Sequence, residues 1–309
     1  MTDASPAAPL GAPSDSAASP DAAPSPATVP ALVGVLGGGR MGAGIAHAFA
    51  VAGSRVVVVE TDRAAAEAAQ ARVARSLTLS VERGTTTRAQ GELLAAVTTA
   101  TDASAFAGCA LVVEAVPEDP ALKRAALARV EAVLRLDAVL ASNTSSLSID
   151  GLAAGLARPD RFLGLHFFNP VPASLLVEVV VGNATSAAVA DEAFGWVRAL
   201  GKTPVVVRDA PGFASSRLGV ALALEAIRML EDGVASAEDI DAAMELGYRH
   251  PAGPLRTTDI VGLDVRLAIA EELHERLGER FAPPELLRRM VAEGRLGRKT
   301  GRGFYEWSE

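Results

Sequence analysis

The 309-residue chain carries 29 Lys+Arg against 37 Asp+Glu, a formal charge of −8 and a sequence pI of about 5.2, which excludes a general polyanion binder and hence a nucleic-acid partner. Half of the residues are hydrophobic but only 4% are aromatic, so the length supports two domains whose cores are built from Ala, Val and Leu. A single cysteine, Cys109, excludes a disulfide framework and a thiolate zinc cluster and points to a reducing compartment, and no run reaches the roughly 18 apolar residues of a membrane span.

Residues 1–30 contain 9 Ala, 7 Pro and 5 Ser and no Lys or Arg, a composition that cannot offset the entropy of ordering and is expected to be a disordered tail. It has neither the basic start of a secretory signal nor the arginines of a mitochondrial presequence, so a cytoplasmic protein is expected. The folded part begins with the apolar strand Val33–Leu36, the loop Gly37-Gly38-Gly39-Arg40-Met41-Gly42, and an apolar-periodic helix over Ala43–Val51. Glycines at 37, 39 and 42 have the G-x-G-x-x-G spacing, in which a tight turn brings a pyrophosphate against a helix N-terminus. A second strand, Arg55–Val59, ends in Glu60, 23 residues after Gly37. A carboxylate there accepts the adenosine ribose hydroxyls and repels a 2′-phosphate, so the expected cofactor is NAD rather than NADP.

Further strands follow at Ala110–Val113, Ala138–Ser142, Phe162–His166, Leu176–Val181 and Pro204–Arg208, with helices between them. This alternation predicts a doubly wound, mainly parallel Rossmann-type α/β sheet over 31–209. From Pro211 onward the pattern is helical. Apolar positions run through Leu218, Leu222, Ile227 and Leu230, a capping box at Ser236 and Asp239 starts a second helix, and two more span Leu263–Leu277 and Pro284–Glu293. An all-helical C-terminal domain is therefore expected over 210–309.

The candidate chemistry centres on one of the four histidines. His47 lies within the first helix, His250 in a link and His274 on a charged helix face, and none has metal-ligand spacing to another. No metal site is expected. His166 instead ends an apolar strand and precedes Phe167-Phe168-Asn169-Pro170, at a strand exit of the kind where active sites of open sheets collect. Twelve residues on, Glu178 interrupts an otherwise apolar strand, and such a carboxylate needs a partner. By spacing it is either the partner of His166 or a structural acid bonded to backbone or arginine.

Four ordered motifs carry a resemblance: Ala141-Ser142-Asn143-Thr144-Ser145-Ser146-Leu147, Gly164-Leu165-His166-Phe167-Phe168-Asn169-Pro170-Val171-Pro172, Pro211-Gly212-Phe213, and Lys299-Thr300-Gly301-Arg302-Gly303-Phe304-Tyr305. Over about 31–307 the chain resembles the short-chain L-3-hydroxyacyl-CoA dehydrogenases, including the bacterial 3-hydroxybutyryl-CoA dehydrogenases. The resemblance implies NAD-linked oxidation of (S)-3-hydroxyacyl-CoA, or the reverse, and a homodimer formed through the helical domain. It makes His166 the general base, Glu178 the acid that orients it, and Ser145 the serine that contacts the reacting oxygen. It places Glu60 at the ribose, Asn143, Glu118 and Lys123 at the nicotinamide side, Asn169 at the substrate, and Ser76 and Arg83 at the CoA phosphates.

The chain also departs from the family. Ser216 stands where an asparagine commonly contacts substrate, Ala173-Ser174-Leu175 lacks the usual lysine, and Arg256-Thr257 replaces Glu-Leu. These departures leave other readings open. One is the same chemistry on a dicarboxylic thioester whose distal carboxylate meets Arg256, or on a carrier-protein thioester. Another is a hydroxyisobutyrate-type dehydrogenase, though no lysine lies between Ser142 and Asn169. The last is a non-catalytic NAD-binding protein.

Overall fold

The computed structural model describes residues 28–308, so most of the expected tail, residues 1–27, lies outside the described residues. The chain runs β1 (Leu32–Leu36), α1 (Arg40–Val51), β2 (Arg55–Val59), α2 (Arg63–Glu82), α3 (Gln90–Ala95), β3 (Val97–Ala100), β4 (Leu111–Glu114), α4 (Pro120–Glu131), β5 (Val139–Ser142), α5 (Ile149–Ala153), β6 (Phe162–Phe167), β7 (Leu176–Val181), α6 (Ala187–Ala199) and β8 (Thr203–Arg208). Five helices follow: α7 (Ser215–Glu231), α8 (Ala237–Tyr248), α9 (Pro254–Val261), α10 (Leu263–Leu277) and α11 (Glu285–Ala292).

The strands form one sheet in the order β3-β2-β1-β4-β5-β6-β7-β8. Every pairing is parallel except β6 with β7, which is antiparallel. This is the doubly wound α/β sheet the alternation predicts, and chain order reverses between β1 and β4, where such sheets open a crevice for ligands. Sequence pattern misses β3. Its residues, Val-Thr-Thr-Ala, form a short edge strand with no continuous apolar run.

Side chains alternate across the sheet. On β6, Leu163, Leu165 and Phe167 enter the core beneath α1, α2 and α6, whereas Phe162 joins the opposite core with Leu127, Ile149, Leu152 and Phe213. His166 has the parity of Phe162 and faces that second layer, towards the helical domain. A third core, including Val220, Leu224, Ile227, Leu263, Leu273 and Met290, holds the helices together. Helix α7 begins at Ser215 and not at Pro211 as the pattern predicts. Gly212 and Phe213 have φ of 72° and 49°, which breaks any helical continuation back to Pro211.

The first turn explains why the spacing of its glycines matters. Gly37 has φ 91°, and a Cβ on Gly42 would stand 1.8 Å from the Gly37 carbonyl oxygen, whereas one on Gly39 would meet nothing within 4 Å. Gly42 is therefore needed for turn-to-helix contact, and Gly39 leaves space open at the mouth of α1. Replacing Gly42 by Ala should cost about 1–3 kcal/mol, the usual range for overpacking. A lowered denaturation midpoint with an unchanged m-value checks this.

Candidate active site

The antiparallel register of β6 and β7 sets His166 directly opposite Glu178. Opposed residues share a face and lie within side-chain reach, and here Nδ1 of His166 is 2.7 Å from Oε2 of Glu178. Glu178 is fully buried. Its carboxylate also accepts the backbone N–H of Ala214 (3.0 Å) and of Ser215 (2.8 Å) and the Ser215 hydroxyl (2.8 Å). Burial works against the ionised form, but the hydrogen bonds from His166 and Ser215 outweigh it and hold the Glu178 carboxyl below its ordinary value of 4.5. An ionised Glu178 takes the proton side of Nδ1 and leaves the lone pair on Nε2. The bond to Glu178 is the ring's one protein hydrogen bond among the described residues. Phe168 and Phe213 flank the ring with centroids 4.3 and 5.8 Å away.

A second buried network lies at the carboxyl ends of β4 and β5. Glu114 is fully buried and accepts Lys123 Nζ at 2.7 Å, Ser142 Oγ at 2.6 Å and the Val116 N–H at 2.7 Å. Lys123 Nζ also reaches the Val116 carbonyl at 3.1 Å and Glu118 Oε2 at 3.2 Å. The other Glu118 oxygen gathers the Thr144 hydroxyl, the Ser145 N–H at 2.9 Å and the Ser145 hydroxyl at 3.5 Å. The network therefore shapes the 144–146 turn and presents Ser145. Asn143 adds a tie between strands, its Oδ1 accepting the Phe167 N–H at 2.9 Å.

Lys123 is 1% exposed and surrounded by oxygens, and its ammonium is paired with Glu118, the other residue expected on the nicotinamide side. Arg256 lies 4.2 Å over the Tyr305 ring and 5.8 Å from Trp307. Its exposed guanidinium is stacked on the C-terminal segment. The Ser216 side chain makes no hydrogen bond among the described residues, whereas that of its neighbour Ser215 binds Glu178. Sequence reasoning missed Ser215 because register on α7 decides which serine faces the sheet. It missed Glu114 as well, although an acid closing the apolar run Leu111-Val112-Val113 was a readable signal. Asn169 is exposed beyond β6. Ser76 and Arg83 meet in a separate cleft between α1, α2 and the loop after β6.

The dinucleotide end fits NAD. Helix α1 has Gly39 as its N-cap, with no side-chain cap and no acid in its first turn, so its N–H groups and positive end remain available for a pyrophosphate. The open space at Gly39 is where side-chain atoms would obstruct that approach. Arg40 and Met41 open the helix beside it. Glu60 follows β2 and accepts the Gly38 N–H at 2.6 Å, which ties this carboxylate to the glycine loop.

A dinucleotide-binding sheet with a buried acid orienting a histidine at a strand exit defines an NAD-dependent oxidoreductase of the dehydrogenase type. Residues 32–210 match the 3-hydroxyacyl-CoA dehydrogenase NAD binding domain and residues 212–307 the 3-hydroxyacyl-CoA dehydrogenase C-terminal domain. The chain is 45% identical over 281 residues to a 3-hydroxybutyryl-CoA dehydrogenase of Mycobacterium tuberculosis, covering 89% of this chain and 98% of the relative. It is 40% identical over 284 residues to the mitochondrial hydroxyacyl-coenzyme A dehydrogenase of Rattus norvegicus, covering 89% and 90%. Against the crystal structure of an (S)-3-hydroxybutyryl-CoA dehydrogenase from Ralstonia eutropha the TM-score is 0.87 at 41% identity, covering 91% of this chain and all of that one. The chain belongs to the 3-hydroxyacyl-CoA dehydrogenase family.

Two outcomes follow from the buried networks. Lys123→Met leaves Glu114 without its ammonium and should cost about 3–5 kcal/mol in urea unfolding. Glu178 has a folded pKa below its ordinary 4.5, so its contribution to stability is present above that value and is lost as pH falls through the lower folded value. Glu178→Gln should therefore flatten the loss of unfolding free energy between pH 5 and the acid limit, as followed by denaturant titrations at each pH.

Proposed function

We propose that the protein catalyses the reversible NAD-dependent oxidation of (S)-3-hydroxybutyryl-CoA to acetoacetyl-CoA. The observation that carries this reading is the His166–Glu178 pair, 2.7 Å apart and buried at the exit of β6, in a chain whose two parts match both domains of the family. Bound NAD supplies the hydride acceptor for C3 of the alcohol, and NADH the donor in the reverse direction.

The chain supplies proton transfer and orientation. Nε2 of His166 takes the proton of the 3-hydroxyl as the carbonyl forms and returns it on reduction. Glu178 holds the tautomer that leaves Nε2 basic and stabilises the imidazolium that proton uptake creates. Ser215, with two donors on Glu178, keeps that carboxylate fixed. Ser145, presented by the turn that Glu118 gathers, contacts the reacting oxygen, and Ser216 occupies the position where the family commonly carries asparagine. Gly37, Gly39, Arg40, Met41, Gly42, Glu60, Glu118, Lys123 and Asn143 form the cofactor side, and Asn169, Ser76 and Arg83 the substrate side.

A homodimer through the helical end belongs to the same proposal. Leu218, Leu246 and Tyr248 are exposed there, and Val205 and Val206 lie open on edge strand β8. Such apolar surface marks an interaction site. A cytoplasmic location is supported by Cys109, a free buried thiol pushed up to about 11 by burial. Among the described residues no helix is long and apolar enough to cross a membrane.

His166→Gln should lower kcat for acetoacetyl-CoA reduction by about 10³-fold, within the range for losing a general acid–base group, while NADH binding by fluorescence titration stays near wild type. Glu178→Gln should be severe but milder. Retention of most activity by His166→Gln would overturn the assignment. Sedimentation velocity should show a two-chain species.

A further inference from the structure

A cleft of about 450 Å³ lies between α1, α2 and the Pro170–Ala173 segment that leads away from the His166 strand. Its wall includes Ser76, Arg83 and Thr85 on one side and Lys202 on the other, and no carboxylate lines it. Arg83 is exposed and forms no ion pair among the described residues. Lys202 precedes β8 and is half-buried. Its Nζ donates to the carbonyls of Val171 at 2.7 Å and Ser174 at 2.5 Å, which uses two of its three protons and none of its charge. Burial pushes this ammonium below its ordinary value, and no carboxylate among the described residues pairs with it. His47 on the cleft floor bonds Ser80 at 2.8 Å and is lowered to about 4 by burial and by Lys202, so it stays neutral near pH 7 and adds no third charge.

Two uncompensated cations facing one acid-free cleft, with hydroxyls between them, call for a ligand that carries several negative charges. We propose that Lys202 is a second phosphate-binding cation of the thioester site, acting with Arg83 on the phosphate groups at the nucleotide end of CoA. The ammonium is held in place at the cleft wall by the two carbonyls of the loop it faces, so its position is fixed before a ligand arrives. The same two bonds also hold the 171–174 segment, and the test has to separate that bracing role from phosphate binding. The inference rests on the acyl-CoA reading above and extends it to Lys202, which lies outside the four motifs that carry the resemblance.

Steady-state reduction by NADH is compared for acetoacetyl-CoA and for acetoacetyl-N-acetylcysteamine, which has the same reacting group and no phosphate. In Lys202→Met the KM for acetoacetyl-CoA should rise about tenfold, as for loss of a charge-assisted hydrogen bond, with kcat within twofold. The constants for the truncated thioester should not move, and the salt dependence of KM should weaken. Lys202→Arg should recover most of the loss. Equal losses on both thioesters would reduce Lys202 to a loop brace and overturn the proposal, as would an unchanged KM for acetoacetyl-CoA. Direct titration with CoA keeps the two readings apart: weaker binding by Lys202→Met in a protein that does not reduce acetoacetyl-CoA would sink the dehydrogenase reading and support this one.

Discussion

The carboxylate of Glu178 is the constraint on which the site depends. An isolated ionised carboxylate cannot be buried without several kcal/mol of penalty, and this one is fully enclosed. It is tolerated because four donors converge on it, one from β6, two from the backbone just before and at the start of α7, and one hydroxyl from α7. Those donors come from both domains. The antiparallel turn of the sheet between β6 and β7 and the point at which α7 begins are therefore coupled through a single side chain. The left-handed Gly212 and Phe213 deliver the backbone N–H groups of 214 and 215 to it, and Phe213 packs against the imidazole on the way.

The second network repeats the same physics on the opposite wall. Glu114 and Lys123 are both enclosed, and the pair is completed by Ser142, the Val116 backbone and Glu118. Its outlet is the 144–146 turn, whose N–H and hydroxyl groups converge on Glu118. Two desolvated carboxylates thus fix two positions independently, the histidine at the end of β6 and the serine after β5. The proposed hydride transfer needs both held in one geometry, since orientation is the larger part of what a protein adds to a reaction whose redox chemistry belongs to the cofactor.

Much of this was readable in the chain. The glycine turn, the acid after β2 and the strand–helix alternation each follow from local rules about sterics, periodicity and burial, and they predict the doubly wound sheet and the helical end. An acid within an apolar strand announced that Glu178 needed a partner. The chain did not disclose which one, because a twelve-residue spacing is compatible with many registers. Ser215 and Ser216 are adjacent and chemically identical, and only the phase of α7 selects the first for Glu178. Lys123 and Arg256 look alike in sequence, as cations near functional segments. One is enclosed by carboxylates and the other stacked on Tyr305.

The sequence by itself determined the element types, the cofactor-binding turn and the residue types available for proton transfer, because each depends on neighbours within a few positions. Tertiary structure decided the pairings: His166 with Glu178, Lys123 with Glu114, and Lys202 with the loop carbonyls across from Arg83. These pairings join residues brought together only by strand order and register. Their energies depend on desolvation, and desolvation exists only once the layers have closed over them.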